Sequence, residues 1–575
     1  MPSTSSTSTP YHEPEISIIL VHSSFLLLLN VVISLLDKAI YCGLLGQVFI
    51  GVAWGTPGAN WLGRHTEDVI SQLGYLGLLL LVYEGQSPPR CRAMSLKEKT
   101  GGLSTSLPSL RANLALSLGV AATGICLPIG LSFILRYMMD GTPLQCFAAG
   151  AALCSTSLGT TFTVLGTSGL ARSRLGVVLS SAAMMDDVVG LVMVQVISSL
   201  GQNGSSFDAV VVVRPLLVSL GFAVVAPLMC ILGVLPATEW LNTRREESPR
   251  GYLNRLLLSR YAPFMTHTLI LLGYVAAASY AGTSNLFTAY IAGASISWWD
   301  TQVPHVQLLD EQSSDNATAS ATSPVGVRSL PVDTSGSGTY GNIYSVAVNR
   351  VLRPFFFASI GFSIPITEMF SGEIVWKGLV YTVLMMLGKL FCGVWLLRLP
   401  EKLRRLKSNP FKKNVKTSVA ERRKASAKAV AESAKPATSA TSVASRASNR
   451  DGSTSSQALP RSNKSRPTNK NLVPAGVKPR SIYPAAILGC AMTARGEIGF
   501  LISSIAESKG IFTDGADTGS NSKIFLCVTW AIMLCTIIGP LSVGLLVQRI
   551  KKLQRRVEKA GGQVQGGVLG AWGIP

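Results

Sequence analysis

The chain has 575 residues, of which 48% are hydrophobic and only 14% are charged, and its mean hydropathy is +0.37. This composition excludes an ordinary soluble domain, because the surface of such a domain needs more charge. The formal net charge is +21, but most of it falls in one segment and therefore does not characterise the whole molecule. We predict an all-α polytopic membrane protein.

Apolar stretches of about 20 residues, the length that crosses a bilayer, recur along the chain, and we count thirteen of them. In the first half they lie at 16–36, 39–55, 67–84, 111–137, 143–165, 174–200 and 210–235. In the second half they lie at 257–280, 283–299, 346–366, 373–398, 483–507 and 523–548. Each stretch predicts one transmembrane helix.

Polar segments divide the predicted membrane domain into three parts, residues 16–299, 346–398 and 483–548. We predict that the two intervening segments, 300–345 and 399–482, are disordered cytoplasmic loops. The longer one is rich in Ser, Ala, Thr and Lys without helical or strand periodicity. Such a composition offers too little apolar surface to bury.

A third polar segment interrupts the first part of the membrane domain. Residues 86–101, QSPPRCRAMSLKEKTG, are basic and lie between two apolar stretches. Deleting them joins the flanking text as LLLLVYEGGLSTSLPSL. Two interpretations stay open, an unspliced intron in the gene model and a genuine cytoplasmic loop, since loop insertions are well tolerated.

Basic residues predict the orientation in the membrane. Residues 401–480 contain 20 Lys and Arg against four Asp and Glu, a net charge of +16. Because loops rich in Lys and Arg stay in the cytoplasm, we place this loop and the tail at 549–575 inside, and residues 1–15 outside or in the lumen. The same side receives Lys38, Arg172 with Arg174, residues 242–255 and Arg350 with Arg353. The charge thus indicates cytoplasmic loops that can contact anionic lipid, and no nucleic-acid partner.

Two adjacent carboxylates, Asp186 and Asp187, lie in the apolar run SSAAMMDDVVGLVMVQVISSL. A charge at bilayer depth costs several kcal/mol, and such residues usually face a water-filled cavity and serve ion or proton traffic. Helical neighbours point about 100° apart, so one carboxylate can meet a cation while the other meets a countercharge. Lys389, in the middle of another apolar stretch, is the candidate countercharge. A purely structural salt bridge between helices is the alternative.

Two further stretches are rich in small and polar residues although they lie inside predicted membrane spans. They are CFAAGAALCSTSLGTTFTVLGTSGL in the fifth predicted span and LGCAMTARGEIGFLISS in the twelfth, and the second contains Arg495 and Glu497. Such segments can unwind where they line a cavity. If spans 1–6 and 8–13 are repeats joined by span 7, these two stretches correspond. The sequence therefore predicts inverted repeats with two crossing discontinuous helices.

The motifs together resemble a known family. They are residues 152–192 around the Asp pair, FFFASIGFSIP (355–365), LGKLFCG (387–393) and ARGEIGF (494–500). They resemble the bacterial-type cation/proton antiporters, in particular the sodium/proton members and their fungal relatives. The resemblance implies a homodimer whose protomers each contain a dimerisation domain and a moving six-helix core. It also implies exchange of Na⁺ or Li⁺, or alternatively K⁺, for protons, with no cofactor beyond the transported ions.

By position, the resemblance implies that Asp187 carries the cation or the proton. It further implies that Asp186 is held by Lys389, and that Thr156 and Ser157 contribute from the unwound stretch. Protonation of Asp187 and cation binding would then exclude each other, so the core crosses loaded with one or the other.

The resemblance assigns Arg495 and Glu497 a structural or gating role in the second broken helix. Members with an Asp-Asp pair and this lysine are generally electrogenic, and the resemblance extends that property to this chain. The membrane stays open between the plasma membrane and an endomembrane, since both accommodate this topology.

Other functions fit less well. An intramembrane aspartyl protease needs its two aspartates on different helices and a Gly-X-Gly-Asp motif, which is missing. A prenyltransferase needs two Asp clusters, and the sequence has one. A cation channel also uses polar breaks and carboxylates at the midplane, and a sensor on the same scaffold stays open. Coupling to a pH gradient separates an antiporter from a channel.

Overall fold

The computed structural model is helical, with no strand in the ranges that it describes. These are residues 13–40, 42–84, 107–157, 170, 173–201, 209–248, 251–257, 259, 261–303, 334–397, 482–513, 522–559, 569 and 572. The insert at 86–101 and residues 399–481 of the long basic loop lie outside them. The predictions for both segments therefore stay predictions.

The helices follow the predicted apolar stretches. The first half contains α1 (Ile16–Ile40), α2 (Gly43–Trp54), α3 (Arg64–Glu84), α4 (Leu107–Ser132), α5 (Leu135–Met139), α6 (Pro143–Ala152), α7 (Arg174–Leu200), α8 (Ala209–Met229), α9 (Leu235–Glu247), α10 (Tyr252–Leu257), α11 (Ala262–Ala281) and α12 (Asn285–Gln302). The second half contains α13 (Gly336–Thr339), α14 (Ser345–Ala347), α15 (Arg353–Phe362), α16 (Ile366–Met369), α17 (Gly372–Leu390), α18 (Tyr483–Thr493), α19 (Glu497–Ser508) and α20 (Lys523–Lys559).

Short irregular turns continue several of these helices. A π-helical turn at Cys230–Val234 joins α8 to α9, and similar turns at Tyr340–Tyr344 and Val348–Leu352 join α13, α14 and α15 into one rod. A 3₁₀ turn at Phe391–Leu396 extends α17. Such turns inside long helices often mark functional or strained positions.

The described residues include 8 helical spans that are long and apolar enough to cross a membrane, together with one shorter apolar helix, α2. A polytopic all-α architecture is therefore confirmed. The exact count of thirteen spans is not.

One predicted loop boundary needs correction. The rod that contains α13 begins at Gly336, inside the loop predicted for 300–345. The carboxylate of Asp300 accepts a hydrogen bond from the Gly336 backbone N–H at 2.8 Å, and the Ser335 hydroxyl accepts one from Gly338 N–H at 3.1 Å. These two hydrogen bonds cap the start of a helix whose sequence is rich in Gly and Ser and has no apolar periodicity.

One group of helices surrounds α15, which packs against both α2 and α3, while α3 also packs against α12. Close backbone approach explains the glycines in this group. A Cβ atom at Gly51 would overlap the carbonyl oxygen of Ala358, and one at Gly74 would lie 2.7 Å from the Cα of Phe356. We call α1–α3, α8, α11, α12 and α15 the scaffold helices.

A second group contains α4, α6, α7 and α17–α20, which we call the core helices. Their contacts repeat: α4 packs on α6 and α7 as α17 packs on α18 and α20. The cross-contacts match as well, since α7 touches α18 and α20 touches α6. This pairing of equivalent helices is what two copies of one three-helix unit produce, in line with the predicted repeats.

The segment predicted as a cytoplasmic tail, 549–575, returns to the core. Helix α20 continues to Lys559, and beyond it Leu569 and Trp572 are 0% and 3% exposed. Both pack in one cluster with side chains of α4, α7, α18 and α20, and the Arg174 guanidinium lies 4.9 Å from the centre of a Trp572 ring. The far end of the tail is thus part of the core's packing.

Candidate functional site

The first helix break follows α6. Thr142 and Gln145 form a capping box that starts this helix, and α6 ends at Ala152 in the run of small residues noted in the sequence. Residues Ser155, Thr156 and Ser157 are outside any helix and buried. Residues 158–165, the rest of the predicted span 143–165, lie outside the described residues.

The second break separates α18, which ends at Thr493, from α19, which starts at Glu497. The chain between them is extended, and a Cβ atom at Gly496 would lie 2.6 Å from the Cβ of Ser157. Only glycine therefore lets the two breaks approach this closely.

Hydrogen bonds join the two breaks where they cross. Ser157 N–H donates to the Ala494 carbonyl at 2.9 Å, and Arg495 Nη1 donates to the Ser155 carbonyl at 2.9 Å. Backbone groups that an unbroken helix would satisfy internally are here satisfied across the crossing. The two discontinuous helices predicted from the sequence thus meet at one point.

A buried ion pair lies beside this crossing. Lys389 Nζ is 2.6 Å from Asp186 Oδ2, and both side chains are 0% exposed. The ammonium also donates to the Cys154 carbonyl at 2.6 Å and to Thr156 Oγ1 at 2.9 Å. Thr156 in turn donates its hydroxyl proton to Asp186 Oδ2 at 2.9 Å. The three donor sites of Lys389 are all occupied, which a buried charge requires.

Asp187 has a different environment from its neighbour. It is half-buried, and among the described residues no basic group forms an ion pair with it within 4.0 Å. Its carboxylate interacts with the Thr156 backbone N–H and lies within electrostatic range of the Glu497 carboxylate. Asp187 is therefore the carboxylate of the pair that has no countercharge within 4.0 Å among the described residues.

Arg495 and Glu497 have separate environments in the structure. Arg495 is 0% exposed and binds the first break, while the Thr536 hydroxyl on α20 donates to its carbonyl oxygen at 3.0 Å. In the described structure, no ion pair within 4.0 Å joins Arg495 to Glu497. Glu497 is half-buried at the start of α19, a position where a helix dipole favours an anion.

Sequence reasoning missed two contributors to the site. The Cys154 carbonyl is a backbone group and has no signature in the text. Gly124 on α4 lies beside the ion pair, but a single glycine in an apolar helix gives no functional signal in one sequence. Only the tertiary packing identifies either.

Comparison with known proteins places this site in context. The family model described as "Sodium/hydrogen exchanger, transmembrane" matches residues 100–420. The probable Na⁺/H⁺ antiporter GerT of Bacillus cereus is 26% identical over 202 residues, 34% of this chain and 49% of the relative. The Na⁺/H⁺-K⁺ antiporter GerN of Bacillus cereus is 25% identical over 168 residues, 29% of this chain and 39% of the relative.

A third relative, the high-affinity Na⁺/H⁺ antiporter NhaS3 of Synechocystis sp., is 28% identical over 160 residues, 28% of this chain and 31% of that protein. The alignments thus span half or less of each of these relatives. The solved structure of the sodium proton antiporter MjNhaP1 from Methanocaldococcus jannaschii superimposes with a TM-score of 0.51 at 13% identity, covering 93% of this chain and 99% of the other. This likeness shows a shared fold.

Proposed function

The chain belongs to the sodium/hydrogen exchanger family, and from this membership we propose that it exchanges a monovalent cation, Na⁺ or Li⁺, for protons across a membrane by alternating access. The names of the relatives support antiport, and the family is one of transporters. Since GerN is named a Na⁺/H⁺-K⁺ antiporter, K⁺ is the second candidate cation.

The observation that carries the proposal is the unequal environment of the two aspartates. Asp186 is fully buried and bound by Lys389 and Thr156, whereas Asp187 is half-buried without a basic partner in the described structure. A carboxylate that binds a cation only when deprotonated couples the two ions by competition. The core then crosses with Asp187 bearing either a proton or the cation, and no further energy source is needed.

The remaining residues would support this competition. Thr156 and Ser157 lie in the first break, where Thr156 interacts with Asp187, and both can offer oxygen atoms, which suit an alkali cation. Lys389 compensates the charge of Asp186 in the arrangement described here, so that Asp187 is the carboxylate left for the cation. Arg495 fixes the two breaks to each other and keeps the oxygen atoms of the first break in place.

At the level of the whole protein, we propose a homodimer in which the core helices move against the scaffold helices. The distribution of basic residues supports a cytoplasmic C-terminus and an N-terminus outside or in the lumen. The membrane is the plasma membrane or an endomembrane, surrounded by lipid that can contact the basic loops.

Flux in proteoliposomes tests the proposal. A pH gradient should drive Na⁺ or Li⁺ movement, and an imposed cation gradient should drive proton movement in return. Asp187→Asn should abolish both. Asp140→Asn is the matched control, because Asp140 is exposed with φ 53°, a conformation that asparagine also adopts.

Three outcomes separate the alternatives. Undiminished coupled flux in Asp187→Asn would show that another group carries the ions. Cation conductance that does not depend on a pH gradient would indicate a channel. Coupled flux with K⁺ and none with Na⁺ or Li⁺ would replace the proposed cation by the second candidate.

A further inference from the structure

Helix α4 lies against the turn that carries the buried lysine. Lys389 is the penultimate residue of α17, and the 3₁₀ turn Phe391–Leu396 follows it. Trp395 Nε1 in that turn donates to Thr123 Oγ1 on α4 at 2.8 Å, and Cys392 Sγ approaches the Val120 carbonyl at 3.6 Å. These contacts fix the end of α17 on one face of α4.

Gly124, one residue after Thr123 on α4, lies beside the ion pair. A Cβ atom there would lie 3.2 Å from Asp186 Oδ2, 3.2 Å from Lys389 Nζ and 3.3 Å from Cys392 Sγ. These distances are tighter than ordinary van der Waals contact, so a side chain at Gly124 would displace a charged atom by a few tenths of an ångström.

The identity of the neighbouring atoms separates Gly124 from a packing glycine. At Gly150 an added Cβ atom would meet the backbone of Ile129 at 2.7 Å, which is ordinary close packing of two helices. At Gly124 it would meet the two partners of a salt bridge instead. Because Lys389 already uses its three donor sites, on Cys154, Thr156 and Asp186, any displacement lengthens at least one of these bonds.

We propose that Gly124 is a positioning residue for cation/proton exchange. Because Gly124 has no side chain, the backbone of α4 lies directly against the Lys389–Asp186 pair. This contact sets the position of the Lys389 ammonium between the first helix break and α7. The position of the ammonium in turn fixes Thr156, to which it donates a hydrogen bond and whose backbone amide interacts with Asp187. This role rests on the proposed exchange function, since positioning has a meaning only if Asp187 carries the ions.

Gly124→Ala tests the role, with Gly130→Ala on the same helix as the matched control, because a Cβ atom at Gly130 meets nothing within 4 Å. In proteoliposomes Gly124→Ala should raise the apparent KM for the cation by about threefold or more, since small misplacements near a site carry large rate and binding costs. The pH at half-maximal exchange should move as well. Gly130→Ala should leave both quantities unchanged.

Stability supplies a second readout that does not depend on transport. Alanine has the higher helix propensity, so Gly130→Ala should keep or raise the melting temperature, whereas Gly124→Ala should lower it. In a Lys389→Ala background the ammonium is absent, and the loss caused by Gly124→Ala should shrink by more than half.

The two readouts distinguish the possible failures. A purified wild type without any coupled flux would refute the exchange function, while the stability comparison would still measure the contact with Lys389. Gly124→Ala with an unaltered KM and pH profile, or with the same loss of melting temperature in both backgrounds, would overturn the positioning role.

Discussion

Arg495 donates a hydrogen bond from Nη1 to the backbone carbonyl of Ser155 at 2.9 Å, although 340 positions separate the two residues in the chain. Arg495 lies in the second helix break and Ser155 in the first. A fully buried guanidinium therefore connects the two interrupted helices at the point where they cross, through a hydrogen bond that uses no atom of the Lys389–Asp186 pair.

We expect Arg495→Ala to destabilise the protein by about 3 kcal/mol, because it removes a charged hydrogen bond and leaves a cavity and a buried carbonyl without its donor. Arg495→Lys keeps the charge and should lose less. Thermal unfolding of the purified protein measures both. Arg244→Ala is the control, because the Arg244 side chain is 62% exposed and its loss should cost at most about 0.5 kcal/mol. Equal losses at the two positions would contradict the connecting role.

The buried pair of Lys389 and Asp186 should behave unlike a surface pair of the same length. Lys389→Met or Asp186→Asn alone leaves an uncompensated buried charge and should cost about 3–5 kcal/mol, whereas the double variant should lose much less than the sum. The control cycle uses Lys377 and Glu373, which are also 2.6 Å apart but partly exposed. Its coupling should stay below about 1 kcal/mol. Additive losses in the Lys389–Asp186 cycle would argue against a buried pair.

Much of this site could be predicted from the sequence because charges are rare at membrane depth. Asp186, Asp187 and Lys389 each interrupt an apolar run. Because burying a charge is costly, such residues in the sequence alone indicate a functional site. The two helix breaks were visible for a related reason. Gly, Ser and Thr accumulate there, and such residues suit backbone that leaves a helix.

The atoms that complete the site could not be predicted. The Cys154 carbonyl binds Lys389 as a backbone group, and its role depends on where α6 ends rather than on the side chain. Gly124 acts through the atoms that surround it, which belong to α7 and α17. The contact between Trp572 and Arg174 joins positions that are nearly 400 residues apart. No local sequence pattern in the tail predicts such a contact.

Thr156 offers a test of the hydroxyl group that bridges Lys389 and Asp186. Thr156→Val keeps the shape but removes the bridge, so it should cost about 1–3 kcal/mol and reduce exchange. Thr156→Ser keeps the hydroxyl and should retain most of both. Thr382→Val is the control, because within the described part of the chain the buried Thr382 hydroxyl donates to the Gly378 carbonyl of its own helix and to no other group. If Thr156→Val exchanged ions as well as Thr156→Ser, the bridging hydroxyl would be dispensable.

The docking of Trp572 on the core predicts that the tail contributes to stability. Trp572→Ala removes a ring that is 3% exposed and stacked near Arg174. The loss should approach about 3 kcal/mol, the low end for a buried tryptophan, because a tail that undocks recovers chain entropy.

Trp240→Ala is the matched control for this prediction. Its ring also has an arginine above it, Arg244 at 5.7 Å, but Trp240 is 60% exposed and should lose less than about 1 kcal/mol. Limited proteolysis gives a second measurement, since undocking should speed cleavage at the basic residues between Lys551 and Lys559 in Trp572→Ala and leave Trp240→Ala unchanged. Identical cleavage rates and melting temperatures in both variants would mean that Trp572 does not hold the tail on the core.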